Sequence, residues 1–448
     1  MWRAGWLHPG NMAVDRVRWI RSTYRNMAYP QPGTATQTAP AGPVLDGDRI
    51  LSLDVLRGFA VLGILVMNIQ AFSQIFAAYM NPTAYGGGIQ GAGYWVWLIS
   101  HLLADEKMMA IFCMLYGAGI VLLTSRIEAR GARALPIFLR RSFWLLIFGL
   151  MHAYLLWSGD ILVSYAICGV VVYPLRKLPA RRLLAIGLLV VAFGSLLSLF
   201  GAWSMQFWAA KDIAQFERNL WQPTAQDTAA QIAAYRGGWL EQMPVRAEES
   251  LLTQTSGIVF ATLWRAGGLM LVGMALYKWG LLTGSLATRL YRNLGIAGAL
   301  FGFPLIAYGV HRNFQEHWST RYSFFIGSQF NYWGSLGISL AWICLIMIAA
   351  RTARLRNGVK RLATVGRMAF SNYILESVLC TLLFYGSGFG LFARVDRVQE
   401  AVVVLVVWII VFAFSQLWMR QFYFGPLEWL WRSLTYRERE PFRRPVRN

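Results

Sequence analysis

Residues 52–74 read SLDVLRGFAVLGILVMNIQAFSQ. A helix needs ~20 apolar residues to cross a bilayer, and this run is long enough. It nevertheless carries Asp54, Arg57 and Asn68. At 100° per residue the three fall within an arc of about 60°. Ionisable groups in a span are costly, so such a stripe faces a bundle interior or a water-filled path. The run therefore predicts an all-α polytopic membrane bundle, and it marks a first polar path through it.

The rest of the chain reads the same way. Of 448 residues, 56% are hydrophobic and 14% charged, against ~25% charged in ordinary soluble domains. Ten segments qualify as spans: 52–74, 107–125, 137–157, 160–176, 183–203, 257–277, 293–311, 324–350, 366–386 and 400–420. With both ends placed inside, the charges test this count. Of the 42 Lys+Arg, 31 fall in the tails and loops assigned inside, 8 in those assigned outside, and 3 (Arg57, Lys107, Arg265) within or beside spans. That alternation is the positive-inside pattern. It makes the net charge of +21 an orientation signal, and nothing in it requires a nucleic-acid partner. The expected location is a bacterial inner membrane, with the lipid bilayer as solvent and a homodimer as the expected assembly.

The organisation follows. Residues 1–48 read as a disordered cytosolic tail with no signal-peptide pattern, and Met12 or Met27 are alternative starts. The membrane domain runs over 49–437, as halves 49–203 and 257–437 around an external amphipathic insertion, 204–256. Residues 438–448 form a basic tail. The insertion reads as short helices over the outer mouth, either a plain structural loop or a lid. The four cysteines, Cys113, Cys168, Cys344 and Cys380, sit in apolar runs without metal or disulfide spacing. No P-loop, GxGxxG, HExxH or GxSxG occurs, which argues against an ATP-driven pump and a zinc protease. Tyr116-Gly-Ala-Gly119 and Tyr385-Gly-Ser-Gly388 are weakly alike, and small residues commonly serve close helix packing.

Beyond the first stripe, the polar residues cluster in four places. His101, Asp105, Glu106 and Lys107 stand before the second span. His152 lies about one turn from the outer end of the third, and Asp160 follows at the turn back after Gly159. A histidine with a carboxylate is the pairing of a general base and its orienter. It is also a common way to stabilise a hairpin. Arg265 lies beside Trp264 in the sixth span. Asn372 and Glu376, one turn apart in the ninth, share a face, and Glu376 has only Arg57 or Arg265 as basic partners in other spans.

Three stretches together carry a resemblance: residues 49–68 around Asp54, Arg57, Gly58 and Ala60; Gly159-Asp160-Ile-Leu-Val-Ser-Tyr165-Ala166; and Phe424-Gly-Pro-Leu-Glu428-Trp-Leu-Trp431-Arg432. Over about 49–437 the chain resembles the bacterial YeiB-like family of multi-span proteins. That family's first span is similar to those of two membrane acyltransferase groups, acyltransferase-3 and heparan-glucosaminide acetyltransferase. The similarity implies transfer of an acyl group from cytosolic acyl-CoA, as co-substrate and not a tightly bound cofactor, to an acceptor across the membrane. Where acyltransferase-3 proteins carry their catalytic histidine, this chain has Asn68, which cannot act as a general base. His152 or His101 would then be the base, His152 being preferred beside Asp160. Asp54, Arg57, Asn68, Glu106, Lys107, Arg265, Asn372 and Glu376 would line the substrate path. No metal site is expected. The alternative function is a permease for a small polar or anionic solute, using the membrane-embedded charges.

Overall fold

All ten expected segments are helical in the computed structural model, which describes residues 50–445. The tail 1–48 and the last residues of the basic tail lie outside the described residues. No strand occurs among those described, and one isolated bridge pairs Phe422 with Arg443. We label the principal helices α1 Leu51–Ser73, α2 Gly91–Leu103, α3 Lys107–Ala129, α4 Ala134–Leu155, α5 Leu162–Val172, α6 Ala180–Ser204, α7 Ala210–Leu220 and α8 Ala225–Arg236. The series continues with α9 Trp239–Leu252, α10 Leu263–Lys278, α11 Thr288–Gln315, α12 Ser328–Arg351, α13 Arg356–Arg367, α14 Ala369–Phe384, α15 Arg397–Gln421 and α16 Pro426–Tyr436.

Eight of the resulting helical runs are long and apolar enough to cross a membrane. They are α1, α2–α3, α4, α6, α9–α10 joined by a π-helical stretch, α11, α12 with its π-helical start, and α15. The other two expected spans come out short. The 11-residue α5 and the 16-residue α14 extend about 16 and 24 Å at 1.5 Å per residue, less than a ~30 Å hydrocarbon core. The turn 156–161 makes α4 and α5 a hairpin, not one broken helix. Gly149 permits it, because a Cβ there would meet Val163.

Helix α1 sits at the centre, in contact with α3, α12, α13, α14 and α15. Peripheral helices present Leu189, Leu196 and Phe200 of α6 and Val402, Leu405 and Ile409 of α15 outward, as a lipid-facing surface requires. Several crossings are glycine-set. A Cβ on Gly117 would meet the Met270 carbonyl, one on Gly273 the Met114 carbonyl, and one on Gly366 the Asp54 carbonyl. The packing role expected for Gly117 is therefore observed. Gly386 instead admits the Arg236 backbone in a loop, so the two similar glycine pieces do different jobs.

The insertion contains α7, α8 and α9, and α8 is capped by Thr224 with Asp227 in a reciprocal box. Arg218 and Thr224 hydrogen bonds hold the Asp227 carboxyl below the usual carboxylate range. Helix α9 closes the outer end of α4. Ser250 Oγ donates to Ala153 O (3.1 Å), Arg246 Nη1 to Leu155 O (3.0 Å) and Trp239 Nε1 to Leu155 O (2.9 Å), satisfying carbonyls a helix C-terminus leaves open. One sequence assignment is corrected here. Arg397 and Glu400, counted with the outer loops, are 2% exposed. Arg397 stacks on the Tyr85 ring and donates to Gln70, while Glu400 accepts from Ser73 and from Tyr85 (3.1 Å).

Candidate functional site

The hairpin α4–α5 and the short helix α14 bring three side chains into line. Asp160 Oδ1 lies 2.8 Å from His152 Nδ1, and His152 Nε2 lies 2.9 Å from Ser377 Oγ. The Val163 N–H donates to the other Asp160 oxygen at 2.8 Å, which fixes the carboxylate. With Asp160 accepting from Nδ1–H, neutral His152 presents Nε2 as an acceptor to the Ser377 hydroxyl. His152 is 2% exposed, Asp160 6% and Ser377 1%. The Tyr373 ring lies 5.0 Å from the imidazole, and Trp157, at 6.2 Å, stacks on Phe72 of α1 at 4.0 Å. Gly159 is needed beside Trp157, since any Cβ would run into the indole. An acid, an imidazole and a hydroxyl in this order can take a proton from the hydroxyl as it attacks and return it later.

Beneath this group opens a cavity of 330 Å³ whose lining runs from Tyr373, Ile161, Leu162 and Tyr165 to the basic face. Its walls are mostly apolar, with Phe112, Leu115, Tyr116, Leu145 and Phe370. Along α3 the lining extends from Phe112 to Arg126, about 21 Å of helix at 1.5 Å per residue. Six arginines line it: Arg57, Arg126, Arg130, Arg141, Arg367 and Arg432, against two acids, Asp54 and Glu428. Asp54 is paired with Arg57 at 2.8 Å. Glu428 is engaged too. It accepts from the backbone N–H groups of Phe370 (2.7 Å) and Ser371 (3.1 Å) and from the Ser371 hydroxyl. Burial pushes its carboxyl up, and the Ser371 and Phe370 donors pull it back. Among the described lining residues, guanidinium groups thus outnumber carboxylates, a set of donors of the kind that binds phosphate-bearing ligands.

A second, smaller pocket of 120 Å³ opens toward the opposite face, walled by Trp97, Trp221, Trp318, Phe324 and Tyr79. His101 and Asp105 reach it, 2.9 Å apart. Lys107 donates to His101 O and Asn331 Oδ1, both at 2.5 Å, and Asn331 Nδ2 donates to Asp105 at 3.1 Å. Glu106, at the break between α2 and α3, has φ 62°, a left-handed conformation that costs energy outside glycine. It pairs with Arg265 at 2.8 Å. Arg265 also donates to Ser335 (2.7 Å) and Tyr332 O (3.0 Å) and lies over the Tyr332 ring.

The sequence profile of a protein family of unknown function (DUF418) matches residues 276–438. Over 399 residues the chain is 32% identical to the "Uncharacterized protein YeiB" of Escherichia coli (strain K12), covering 88% of this chain and 98% of that one. This chain belongs to the YeiB family. It is also 28% identical over 417 residues to the "Uncharacterized protein YxaH" of Bacillus subtilis (strain 168), covering 89% of this chain and 97% of the relative. An "Uncharacterized 39.9 kDa protein in amylase 3'region" of Bacillus acidopullulyticus is 26% identical over 399 residues, covering 89% and 97%. No solved structure matches.

In this YeiB-family chain the expected residues divide into groups. His152 and Asp160 meet, and Asp54 and Arg57 line the large cavity beneath them. His101, Glu106, Lys107 and Arg265 belong to the separate network near the smaller pocket. Asn68 is half-buried and lines neither cavity. Asn372 is satisfied structurally, donating to Val365 O (3.0 Å) and Ser415 (2.9 Å) across the bend between α13 and α14. Glu376 meets neither expected arginine. Its Oε1 has no hydrogen-bond partner among the described residues, while Arg57 holds Asp54 and Arg265 holds Glu106. Ser377 and the cavity residues Arg126, Arg130 and Arg141 are not singled out by the sequence as site residues, whereas Arg432 falls in the closing stretch that carries the resemblance. The arginines disappear into the loop charge count, although their convergence with the closing Glu428–Arg432 stretch is a usable signal.

Proposed function

We propose that this YeiB-family protein is an inner-membrane acyltransferase. Its basic face is cytosolic, and it takes an acyl group from acyl-CoA and delivers it to an acceptor from the other side. The observation that carries this reading is the 330 Å³ cavity with six arginines and an apolar depth that ends at Tyr373, beside His152. Phosphates of a coenzyme A moiety suit guanidinium groups, which bind them in a bidentate fork. An extended thiol arm with its acyl group suits the apolar wall. His152, oriented by Asp160, is the base, which agrees with the distant resemblance of the first span to membrane acyltransferases.

The test is acyl-CoA binding to purified protein in detergent. The wild type binds acetyl-CoA or a longer acyl-CoA and slowly hydrolyses it. Arg126→Glu with Arg130→Glu raises Kd by at least about tenfold, and the affinity of the wild type falls with salt. Binding that ignores both changes, or no binding at all, sinks the reading. A second reading, a proton-coupled permease, draws on Glu376, a residue 3% exposed with Oε1 unpartnered among the described residues. It expects solute uptake that collapses in Glu376→Gln.

A further inference from the structure

We infer that Ser377 is an acylation site: its Oγ attacks the thioester and carries the acyl group as a serine ester between donor and acceptor. The inference rests on the acyltransferase reading and deepens it. If His152 alone were the base for a direct transfer, its free nitrogen would face the acceptor. It does not. Nδ1 is held by Asp160 and Nε2 by the Ser377 hydroxyl, at 2.8 and 2.9 Å. Every proton that His152 takes through Nε2 in this arrangement comes from Ser377.

Position supports chemistry. Tyr373 lines the deep end of the cavity, and Ser377 follows it on the same face of α14, one turn or about 6 Å further on. The Ser377 hydroxyl has a second acceptor, the Tyr373 carbonyl at 3.2 Å, so its proton has two resting places and only one of them is a base. Ser377 itself lies outside the cavity lining, so the proposed attack requires the Tyr373 ring to move aside. The thiols nearby are poorer nucleophile candidates. The Cys113 thiol donates to Tyr165 (3.3 Å), and among the described residues the histidine hydrogen bond goes to Ser377 and not to Cys380.

The steps balance. Ser377 Oγ bonds to the thioester carbonyl carbon while His152 Nε2 takes the hydroxyl proton. The C–S bond breaks, and the thiolate leaves with that proton as a free thiol. A hydroxyl of the acceptor then attacks the serine ester, His152 takes its proton, and the ester C–O bond to Ser377 breaks. Ser377 recovers the proton from His152. Asp160 stays ionised throughout and stabilises the imidazolium in both halves.

The experiment uses the full-length protein in detergent with [1-¹⁴C]acetyl-CoA and palmitoyl-CoA, without acceptor. Samples are quenched in acid, and intact mass and peptide mapping follow. The expected result is a burst of free thiol with up to one acyl group on the peptide holding Ser377. Ser377→Ala loses the label and at least about a hundredfold in turnover, but it keeps wild-type acyl-CoA affinity, which also reports its folding. Ser377→Cys is labelled as a thioester that neutral hydroxylamine cleaves. Thiol release by Ser377→Ala at the wild-type rate overturns the inference and leaves the acyltransferase reading standing. So does thiol release with no label in either the wild type or Ser377→Cys. A wild type that neither binds nor consumes acyl-CoA overturns both.

Discussion

Asp160 shows how far single residues can be read. It stands eight positions after His152, across a turn that Ser158 and Gly159 announce, so the pair is legible in the sequence itself. Ser377 is not, because it lies 225 positions from His152, and in sequence it is one small polar residue inside a buried helix. Periodicity places a residue on a face but does not say which helix that face meets. Asn372 and Glu376 mislead for the same reason. They share a face in sequence, yet one is tied to backbone and Ser415 while the other has an unpartnered oxygen among the described residues. The role of Asp160 can be tested directly. Asp160→Asn can donate to Nδ1 and stabilise the wrong tautomer, leaving Nε2–H facing Ser377. Acyl-CoA turnover is expected to fall by ~10²–10⁴-fold with binding retained. A variant with unchanged turnover in a stopped thiol-release assay would assign the pair to hairpin stability alone.

At the level of elements, the two expected spans that come out short, α5 and α14, are the ones that bring Asp160 and Ser377 to His152. Helix α5 starts from the Asp160 turn, and α14 carries Tyr373 and Ser377. Their shortness is hidden in sequence because hydropathy continues through the turns and the 3₁₀ segment that flank them. The ends of such helices must find partners inside the protein. Glu428 supplies one, accepting from the Phe370 and Ser371 N–H groups at the start of α14. A carboxylate there also complements the helix dipole. The long closing motif around Glu428 thus has a structural reason: it anchors the helix on which Ser377 rides. Glu428→Ala leaves buried N–H groups without an acceptor, a loss of about 1–3 kcal/mol. A lowered unfolding temperature in detergent is expected, together with weaker acyl-CoA binding because α14 lines the cavity. Glu428→Gln keeps an acceptor and should recover part of both. Equal damage from the two variants would show that the charge, not the cap, matters.

For the whole molecule, the bundle is legible from hydropathy and charge, because lipid imposes helices and the translocation machinery leaves its record in Lys and Arg. What the pattern alone leaves open is depth, since a charge count does not distinguish an arginine facing water from one lining a cavity. Arg126, Arg130, Arg141, Arg367 and Arg432 all count on the inner side, and all five line the large cavity. On the proposed reading one charge distribution serves both orientation and site, so testing orientation tests the proposed donor side too. The four cysteines are buried, so the native chain offers a silent background for thiol labelling. Asn357 and Gln315 are exposed, the first beside the basic loops and the second at the far end of α11. In intact cells, a membrane-impermeant maleimide should label Gln315→Cys and spare Asn357→Cys until the membrane is opened. If both label alike, the helix between them does not cross. If the order is reversed, the arginine-lined cavity opens away from the cytosol and cytosolic acyl-CoA cannot reach it. That last result would remove the donor from the proposed reaction, whatever the chemistry of His152, Asp160 and Ser377.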